Sequence, residues 1–417
     1  MYLQGQTYEE CVHNVIDSAH PEKSVFNPSQ QLEFIGFILN SVYMTIRLTL
    51  EKAAGLKMTC HALLTNPSPM IRELARVVGK IVSSFPGVMY GPLYYRLLER
   101  DKILAMQSTC WNFDKHMSLS LEAKSEISRW INNIVEAHNI LSRDAPTVML
   151  TTDASKLGWG AVLNMQSTGG LWSSTESQNH INYLELLTVF LGLQTFCSSL
   201  HDCHIRLMID NTTAVAVINH MGTSHSAPLN KLTKEIWLWC IPCKISGSAQ
   251  PTLQRNATYR LIWNHAIVSE TEWMLNNTLL SNALSELDFT PEIDLFASRL
   301  NAQFPQYVAY RPDPGVRAVD AFTIDWCLLK FYAFPPFSIP VIASVLKKIK
   351  EDKATGVCIL PHCPTQAWFL MVEKMAVRKS VVLLPSRSLL HLPTRSTLYT
   401  SASLSWSASY RGTTDQP

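Results

Sequence analysis

The chain has 417 residues, 47% of them hydrophobic and 16% charged, which excludes a disordered polyelectrolyte and leaves room for about two to four domains. The formal net charge is only +2, so bulk charge announces no nucleic-acid partner, and any such partner must be met by local patches. No apolar run approaches ~20 residues, no charged-then-apolar leader opens the sequence, and the ten cysteines follow no disulfide framework. The expectation is an intracellular, reduced protein, cytoplasmic or nuclear, with no membrane partner.

Taken in chain order, residues 1–56 read as a short helical stretch followed by two strands, Gln31 to Asn40 and Val42 to Leu48. Residues 57–142 read as mostly helical, with Pro69 at a helix start, where its fixed φ and missing N–H fit. Ile71, Leu74, Val78 and Ile81 share one apolar face at 3–4 spacing, while Arg72, Arg76 and Lys80 form a basic stripe every fourth residue. Such a stripe is either a solvated face or a contact for a nucleic-acid backbone, whose affinity would then depend on salt.

Residues 145–270 carry the chemistry. A β-branched run from Thr147 ends on Asp153, and a Gly-punctuated hairpin, Gly158-Trp159-Gly160-Ala161, follows. Glu185 opens an apolar stretch from Leu186 to Phe196 that reads as a helix, and the strand Ile205–Ile209 ends on Asp210. A strand-end Asp, a helix-borne Glu and a second strand-end Asp can converge at one edge of a sheet. Three converging carboxylates are hard oxygen ligands for Mg²⁺, and two such ions can clamp both oxygens of a phosphodiester displacement. Singly, each acid could be a solvated turn or helix-start residue. The three together, in this order and with the hairpin after the first, point to a metal site.

Beyond it, Trp237 and Trp239 read as core, and Ile241 to Ile245 should begin the last strand of this region. Cys240-x-x-Cys243 has no second pair at zinc spacing, and His201, Cys203 and His204 lie too near in sequence to complete one, so ordinary reduced thiols are expected. Residues 285–375 form another α/β unit, with a helix from Ile339 to Glu351 and a β-type run from Val357 to Leu360; His362-Cys363 beside Pro361 and Pro364 is read as structural. The tail, 376–417, is rich in Leu, Ser and Thr and is expected to be disordered.

The carboxylate pattern resembles the RNase H domain. Leu32-Glu33-Phe34-Ile35-Gly36-Phe37, Ser83-Ser84-Phe85-Pro86, Tyr90-Gly91-Pro92-Leu93-Tyr94-Tyr95 and Pro291 to Ser298 look like the pol polyprotein of DIRS-type retrotransposons. The resemblance runs to about residue 375. It implies an α/β multidomain chain: a reverse-transcriptase palm remnant (1–56), a helical thumb or connection (57–142), an RNase H-like mixed sheet with flanking helices (145–270) and a degenerate methyltransferase-like unit (285–375). The palm remnant lacks the family's catalytic aspartates, with His20-Pro21-Glu22-Lys23 and Leu32 to Gly36 resembling its late motifs and family residues missing between Asp17 and His20. Polymerisation by this chain alone is therefore not expected, and other retroelement proteins would have to supply the palm.

By the matching motifs, Asp153, Glu185 and Asp210 would bind two Mg²⁺ ions, with Ser155 and Asn211 as supporting polar neighbours. The substrate would be RNA in an RNA–DNA hybrid. The family's fourth carboxylate falls where Ser246 to Ser269 no longer resembles it, a stretch that reads like a locally shifted frame, with Glu270 and Glu272 as the nearest acids. The two-metal site is thus incomplete, and the expected activity is a weakened ribonuclease H or, alternatively, an inactive nucleic-acid-binding remnant. In the last unit, Pro291 to Ser298 and Phe334-Pro335-Pro336-Phe337 resemble a Dam-type adenine methyltransferase, with Asp294 near the cofactor and Phe337 positioned to stack on a base. Phe334 stands where that family has a polar acceptor, so S-adenosylmethionine chemistry is not expected.

Overall fold

A computed structural model describes residues 29–142, 145–251, 273–378, 380–384, 386 and 388–393, together with the backbone of 406–411. His20 to Lys23, and the segment from Thr252 that includes Glu270 and Glu272, lie outside the described residues. The chain divides into two compact units, Met1–Asp144 and Ala145–Pro417.

The first unit is a four-stranded antiparallel sheet with helices. Its strands are β1 (Gln31–Phe34), β2 (Phe37–Asn40) and β3 (Thr45–Leu48). Gln31 to Asn40, expected as one strand, is instead a hairpin. Ile35 and Gly36 both adopt positive φ (51° and 73°), the backbone that a tight two-residue β-turn demands. Four helices follow: α1 (Leu50–Thr65), α2 (Ile71–Ser84), α3 (Arg96–Ser108) and α4 (Leu121–Asn133). The chain then returns to the sheet as β4 (His138–Ile140), antiparallel to β3. The boundary expected at residue 56 therefore falls inside α1, whose Thr49 cap and uninterrupted backbone ladder carry it to Thr65.

Helix α2 opens at Ile71 rather than Pro69, with the Glu73 carboxylate accepting from the Met70 N–H at 2.8 Å. Ile71, Leu74, Val78 and Ile81 are all buried on its inner face. Of the basic stripe, Arg72 pairs with Asp114 (2.8 Å) and Lys80 donates to the Thr59 hydroxyl (2.7 Å). Arg76 is exposed.

The second unit contains two larger sheets. The first is built from β5 (Val148–Ala154), β6 (Gly158–Leu163), β7 (Gln166–Leu171), β8 (His204–Ile209) and β9 (Ser246–Pro251), in spatial order β7-β6-β5-β8-β9. The first three pair antiparallel, whereas β8 and β9 run parallel to β5. The parallel connections are helical: α5 (Ile181–Phe196) between β7 and β8, then α6 (Thr212–Asn219) and α7 (Ala227–Cys240) before β9. The last strand begins at Ser246, not Ile241. Residues 241–244 form a turn in which Lys244 takes positive φ (53°) and Ile245 N–H donates to Cys240 O at 3.1 Å.

Helix α5 lies close on this sheet because Gly192 faces it. A Cβ there would meet Ala161 Cβ at 3.1 Å, Leu150 Cδ2 at 3.4 Å and Thr152 Cγ2 at 3.5 Å. Gly192→Val is therefore expected to cost about 1–3 kcal/mol by overpacking, read as a lower denaturant midpoint.

A short strand, β10 (Met274–Leu275), leads to α8 (Asn277–Leu287). The other large sheet follows: β11 (Ile293–Asp294), β12 (Gln306–Ala309), β13 (Ala318–Val319), β14 (Lys330–Ala333), α9 (Ile339–Glu351), β15 (Thr355–Pro361) and α10 (Ala367–Met375). It is completed by β16 (Val381–Leu383) and β18 (Trp406–Arg411), while β17 (Leu390–His391) pairs with β10. The strand order is β13-β12-β11-β14-β15-β18-β16, parallel from β13 to β15 with β18 antiparallel to its neighbours. Alternation divides the core: Phe331, Ala333, Cys358 and Leu360 pack with α9 and α10, while Tyr332, Val357 and Ile359 pack with α8. Within the tail expected to be disordered from residue 376, β18 covers the edge of β15, β16 pairs with β18, and β17 pairs with β10.

Arg299, from the loop after β11, grips Glu176 beside the first sheet through two hydrogen bonds, at 2.7 and 3.2 Å. Burial works to raise the Glu176 carboxyl, yet the Arg299 guanidinium and the Ser173 donors hold it below its ordinary pKa.

Candidate metal centre

Register brings the two aspartates together. Strands β5 and β8 run parallel with Val148 opposite Ile205 and Thr152 opposite Ile209, so one further step sets Asp153 beside Asp210 at the same strand ends. Glu185 comes from α5, which starts at Ile181 with His180 as its cap, one turn earlier than the apolar run indicates. Each of Asp153, Glu185 and Asp210 offers an oxygen, and these three atoms lie within 4.8 Å of one another. Asp153 and Glu185 are buried (7% and 3% exposed), and Asp210 is exposed, leaving the cluster open on one side.

The electrostatics are those of an anion-rich, partly dry site. The Glu185 carboxyl is pushed up to about 9, first by burial, then by the negative charges of Asp210 and Asp153 and by a hydrogen bond with the Asp210 side chain; the Ala154 N–H acts in the opposite sense. Its Oε2 is buried with no hydrogen-bond partner among the described residues. An acceptor left bare in a cluster of carboxylates is what a cation would satisfy, and an all-oxygen donor set suits Mg²⁺.

The neighbouring residues hold this geometry. Asn211 caps α6, its Oδ1 accepting from Ala214 N–H (2.9 Å), and its Nδ2 donates to Asn182 Oδ1 (2.9 Å) on the first turn of α5. It therefore ties the helix that carries Glu185 to the strand end that carries Asp210. Asn182 has no motif to mark it beyond standing three residues before Glu185. Asn211→Ala is expected to cost about 1 kcal/mol of stability and weaken divalent-ion affinity about tenfold, both measurable by ion-dependent thermal melts.

Ser155 plays a turn-building part. Its hydroxyl accepts from Leu157 N–H (3.1 Å) and Gly158 N–H (3.2 Å), and its carbonyl accepts from Trp172 Nε1 (2.8 Å). The fully packed Trp172 and Trp159 thereby fix the turn that follows Asp153.

In the second sheet, Asp294 ends β11 opposite Tyr332 of β14 and is 2% exposed. Burial pushes its carboxyl up to about 7, against the pull of the Gln303 and Phe296 N–H groups, each 3.2 Å away. The segment after β14 places Phe334 against Phe337 edge-to-face, with ring centroids 5.6 Å apart. Pro335 is buried, Pro336 is exposed and Phe337 is 49% exposed.

No family model and no curated protein matches the sequence. Among solved structures, the chain is similar to a foamy viral protease-reverse transcriptase in complex with double-stranded DNA, at 14% identity and TM-score 0.24, over 54% of this chain and 38% of that one. It is similar also to a foamy viral protease-reverse transcriptase in complex with RNA/DNA hybrid, at 12% identity and TM-score 0.24, over 58% of this chain and 31% of that one. A third, again with double-stranded DNA, shares 14% identity and TM-score 0.24 over 54% and 46%. The chain spans less than half the length of each. What the molecule itself displays is a mixed α/β architecture in two units with several sheets, and among the described residues no helix long and apolar enough to cross a membrane.

Proposed function

We propose that this chain is a retrotransposon-derived, RNase H-like nuclease that hydrolyses the RNA strand of RNA–DNA hybrids with Mg²⁺. The observation that carries the reading is the convergence of Asp153, Glu185 and Asp210 within 4.8 Å, with a buried Glu185 oxygen that has no hydrogen-bond partner among the described residues. The sheet adds support: three antiparallel strands, a helix bearing the Glu, then two parallel strands make a mixed sheet with flanking helices, as the resemblance to the RNase H domain implies.

Asp153, Glu185 and Asp210 would hold the ion. When bound, Mg²⁺ supplies the positive charge that offsets charge developing on the phosphate and its leaving oxygen. Asp153, pinned between β6 and β8, is a ligand with little freedom to lose. Glu185 would give up its proton to become one. Asp210 stands at the exposed side, where a phosphodiester backbone would arrive. Preference for a hybrid would rest on 2′-hydroxyl contacts to one strand and backbone shape on the other. Without the family's fourth carboxylate, activity is expected to be weak.

A second reading is an inactive nucleic-acid-binding remnant, favoured by the exposed Arg76 on α2. For the last unit, the mostly parallel seven-stranded sheet supports a methyltransferase-like remnant. Phe334 packed on Phe337 offers no acceptor to an adenine amino group, so methyl transfer is not part of the proposal.

The test offers strand-labelled RNA–DNA hybrid, duplex RNA and duplex DNA to the full-length protein with and without Mg²⁺. Cutting confined to the RNA of the hybrid, and only with Mg²⁺, is the expected result. A folded protein that binds the hybrid without cutting it would leave the second reading, and cleavage of duplex DNA would contradict the substrate class.

A further inference from the structure

Cys240-x-x-Cys243 lacks a second pair at zinc spacing along the sequence, but folding supplies one. Cys197 ends α5 and Cys203 immediately precedes β8, while Cys240 ends α7 and Cys243 lies in the turn before β9. Two backbone hydrogen bonds hold the segments side by side, Asp202 N–H to Cys243 O (3.0 Å) and Ser246 N–H to Cys203 O (3.0 Å), and Ile245 N–H to Cys240 O (3.1 Å) closes the turn that carries Cys243. The Lys244–Asp202 ion pair (3.3 Å) joins the residues next to Cys243 and Cys203. Asp202 and Lys244 both take positive φ, so each segment reverses sharply beside its cysteine.

Four of the nine cysteines among the described residues therefore gather at one edge of the five-stranded sheet. Cys197 and Cys240 are buried (0% and 5% exposed), and Cys203 and Cys243 are half-buried. The thiols of Cys197, Cys243 and Cys203 each act electrostatically on that of Cys240, which burial pushes up to about 12. A desolvated group of thiols is inert alone, whereas a bound cation deprotonates them outright.

We propose that Cys197, Cys203, Cys240 and Cys243 form a structural site for Zn²⁺, tying the ends of α5 and α7 to the starts of β8 and β9. The donor chemistry fixes the class of ion. Four thiolates are soft ligands that select Zn²⁺ over Mg²⁺, the reverse of the carboxylate cluster. The two sites are also far apart. Seven residues of extended chain from Cys203 to Asp210, and twelve of helix from Glu185 to Cys197, both give roughly 20 Å.

Among the described residues only the carboxylate trio already holds three ligand atoms within 4.8 Å. Closure on Zn²⁺ would require the four side chains to rotate toward one another, each sulfur then serving as a thiolate ligand. Four S–H bonds break as four Zn–S bonds form, and four protons pass to solvent. The consequence is a staple across both parallel connections of the sheet, holding the far end of the helix that carries Glu185.

The test is made on the full-length protein, produced with added Zn²⁺ and dialysed into metal-free buffer without chelator. About one Zn²⁺ per chain is expected, and exchange for Co²⁺ should give the intense near-ultraviolet thiolate-to-metal absorption that oxygen ligands do not produce. Asp153→Asn should keep both signals. Cys203→Ser/Cys243→Ser should lose both, and Cys110→Ser/Cys327→Ser, which removes two exposed thiols elsewhere, should keep them. A folded protein with no Zn²⁺ and no such band overturns the proposal. So does an ion lost with Asp153→Asn but kept in Cys203→Ser/Cys243→Ser, or a disulfide found among the four cysteines in place of metal.

Discussion

Asp153→Asn and Asp210→Asn are each expected to lower Mg²⁺-dependent cleavage of an RNA–DNA hybrid by at least about 100-fold while leaving the protein folded and able to bind the hybrid. Both substitutions keep the size and polarity of the side chain and remove one negative charge. The two positions differ in setting: Asp153 is buried between β6 and β8, whereas Asp210 is exposed at the mouth. Excess Mg²⁺ is therefore expected to restore more activity to Asp210→Asn, where solvent can complete the ion's shell, than to Asp153→Asn. Initial rates across a Mg²⁺ series separate the two. Equal rates for the wild type and both variants would remove the carboxylate cluster from the chemistry.

The second large effect is on stability. Glu185 is 3% exposed and its carboxyl is held at about 9 in the metal-free fold, against 4.5 for the ordinary group. The fold therefore favours the protonated form. Its contribution is intact below about 4.5 and declines as pH rises toward about 9, because the unfolded chain ionises Glu185 freely while the folded one cannot. Glu185→Gln keeps a neutral side chain at every pH. It is expected to match the wild type near pH 4 and to exceed it increasingly above that, by on the order of 5 kcal/mol at pH 8 without metal. Saturating Mg²⁺ should reverse the order, since the ion stabilises only a chain with its full ligand set. Denaturant melts at several pH values, with Mg²⁺ or with chelator, check both halves. A wild type whose metal-free stability does not fall between pH 5 and pH 9 relative to the variant would contradict the account.

Much of this was legible in the sequence because the relevant signals are local. A β-branched run that stops at an acid marks a strand end, so Asp153 and Asp210 could be placed without a structure. The helix from Ile339 to Glu351 is bounded as its pattern implies, since Ser338, Pro340 and a periodic apolar face all agree. Where local signals compete, the reading failed. Gln31 to Asn40 has strand composition throughout, and only the positive φ of Ile35 and Gly36 reveals the hairpin.

The tail has the composition of a linker, yet Val381–Leu383 and Trp406–Arg411 enter a sheet whose open edge lies far away in sequence. Cys240-x-x-Cys243 is plain in the sequence but its approach to Cys203 is not, since the spacing from Cys203 to Cys240 has meaning only once β8 and β9 lie side by side. Likewise, the basic stripe of α2 looks like a free surface in sequence, but Arg72 and Lys80 spend their charges on Asp114 and Thr59.

The central claim is that Asp153, Glu185 and Asp210 bind a divalent cation, and calorimetric titration of Mg²⁺ into the full-length protein at pH 7 tests it most directly. With its carboxyl at about 9, Glu185 enters the titration protonated. Binding to the wild type should then release close to one proton, seen as a dependence of the heat on buffer ionisation enthalpy. Glu185→Gln should bind more weakly with no such release, and Asp153→Asn should scarcely bind. Mg²⁺ binding of unchanged affinity in both variants would place the ion elsewhere and contradict the account.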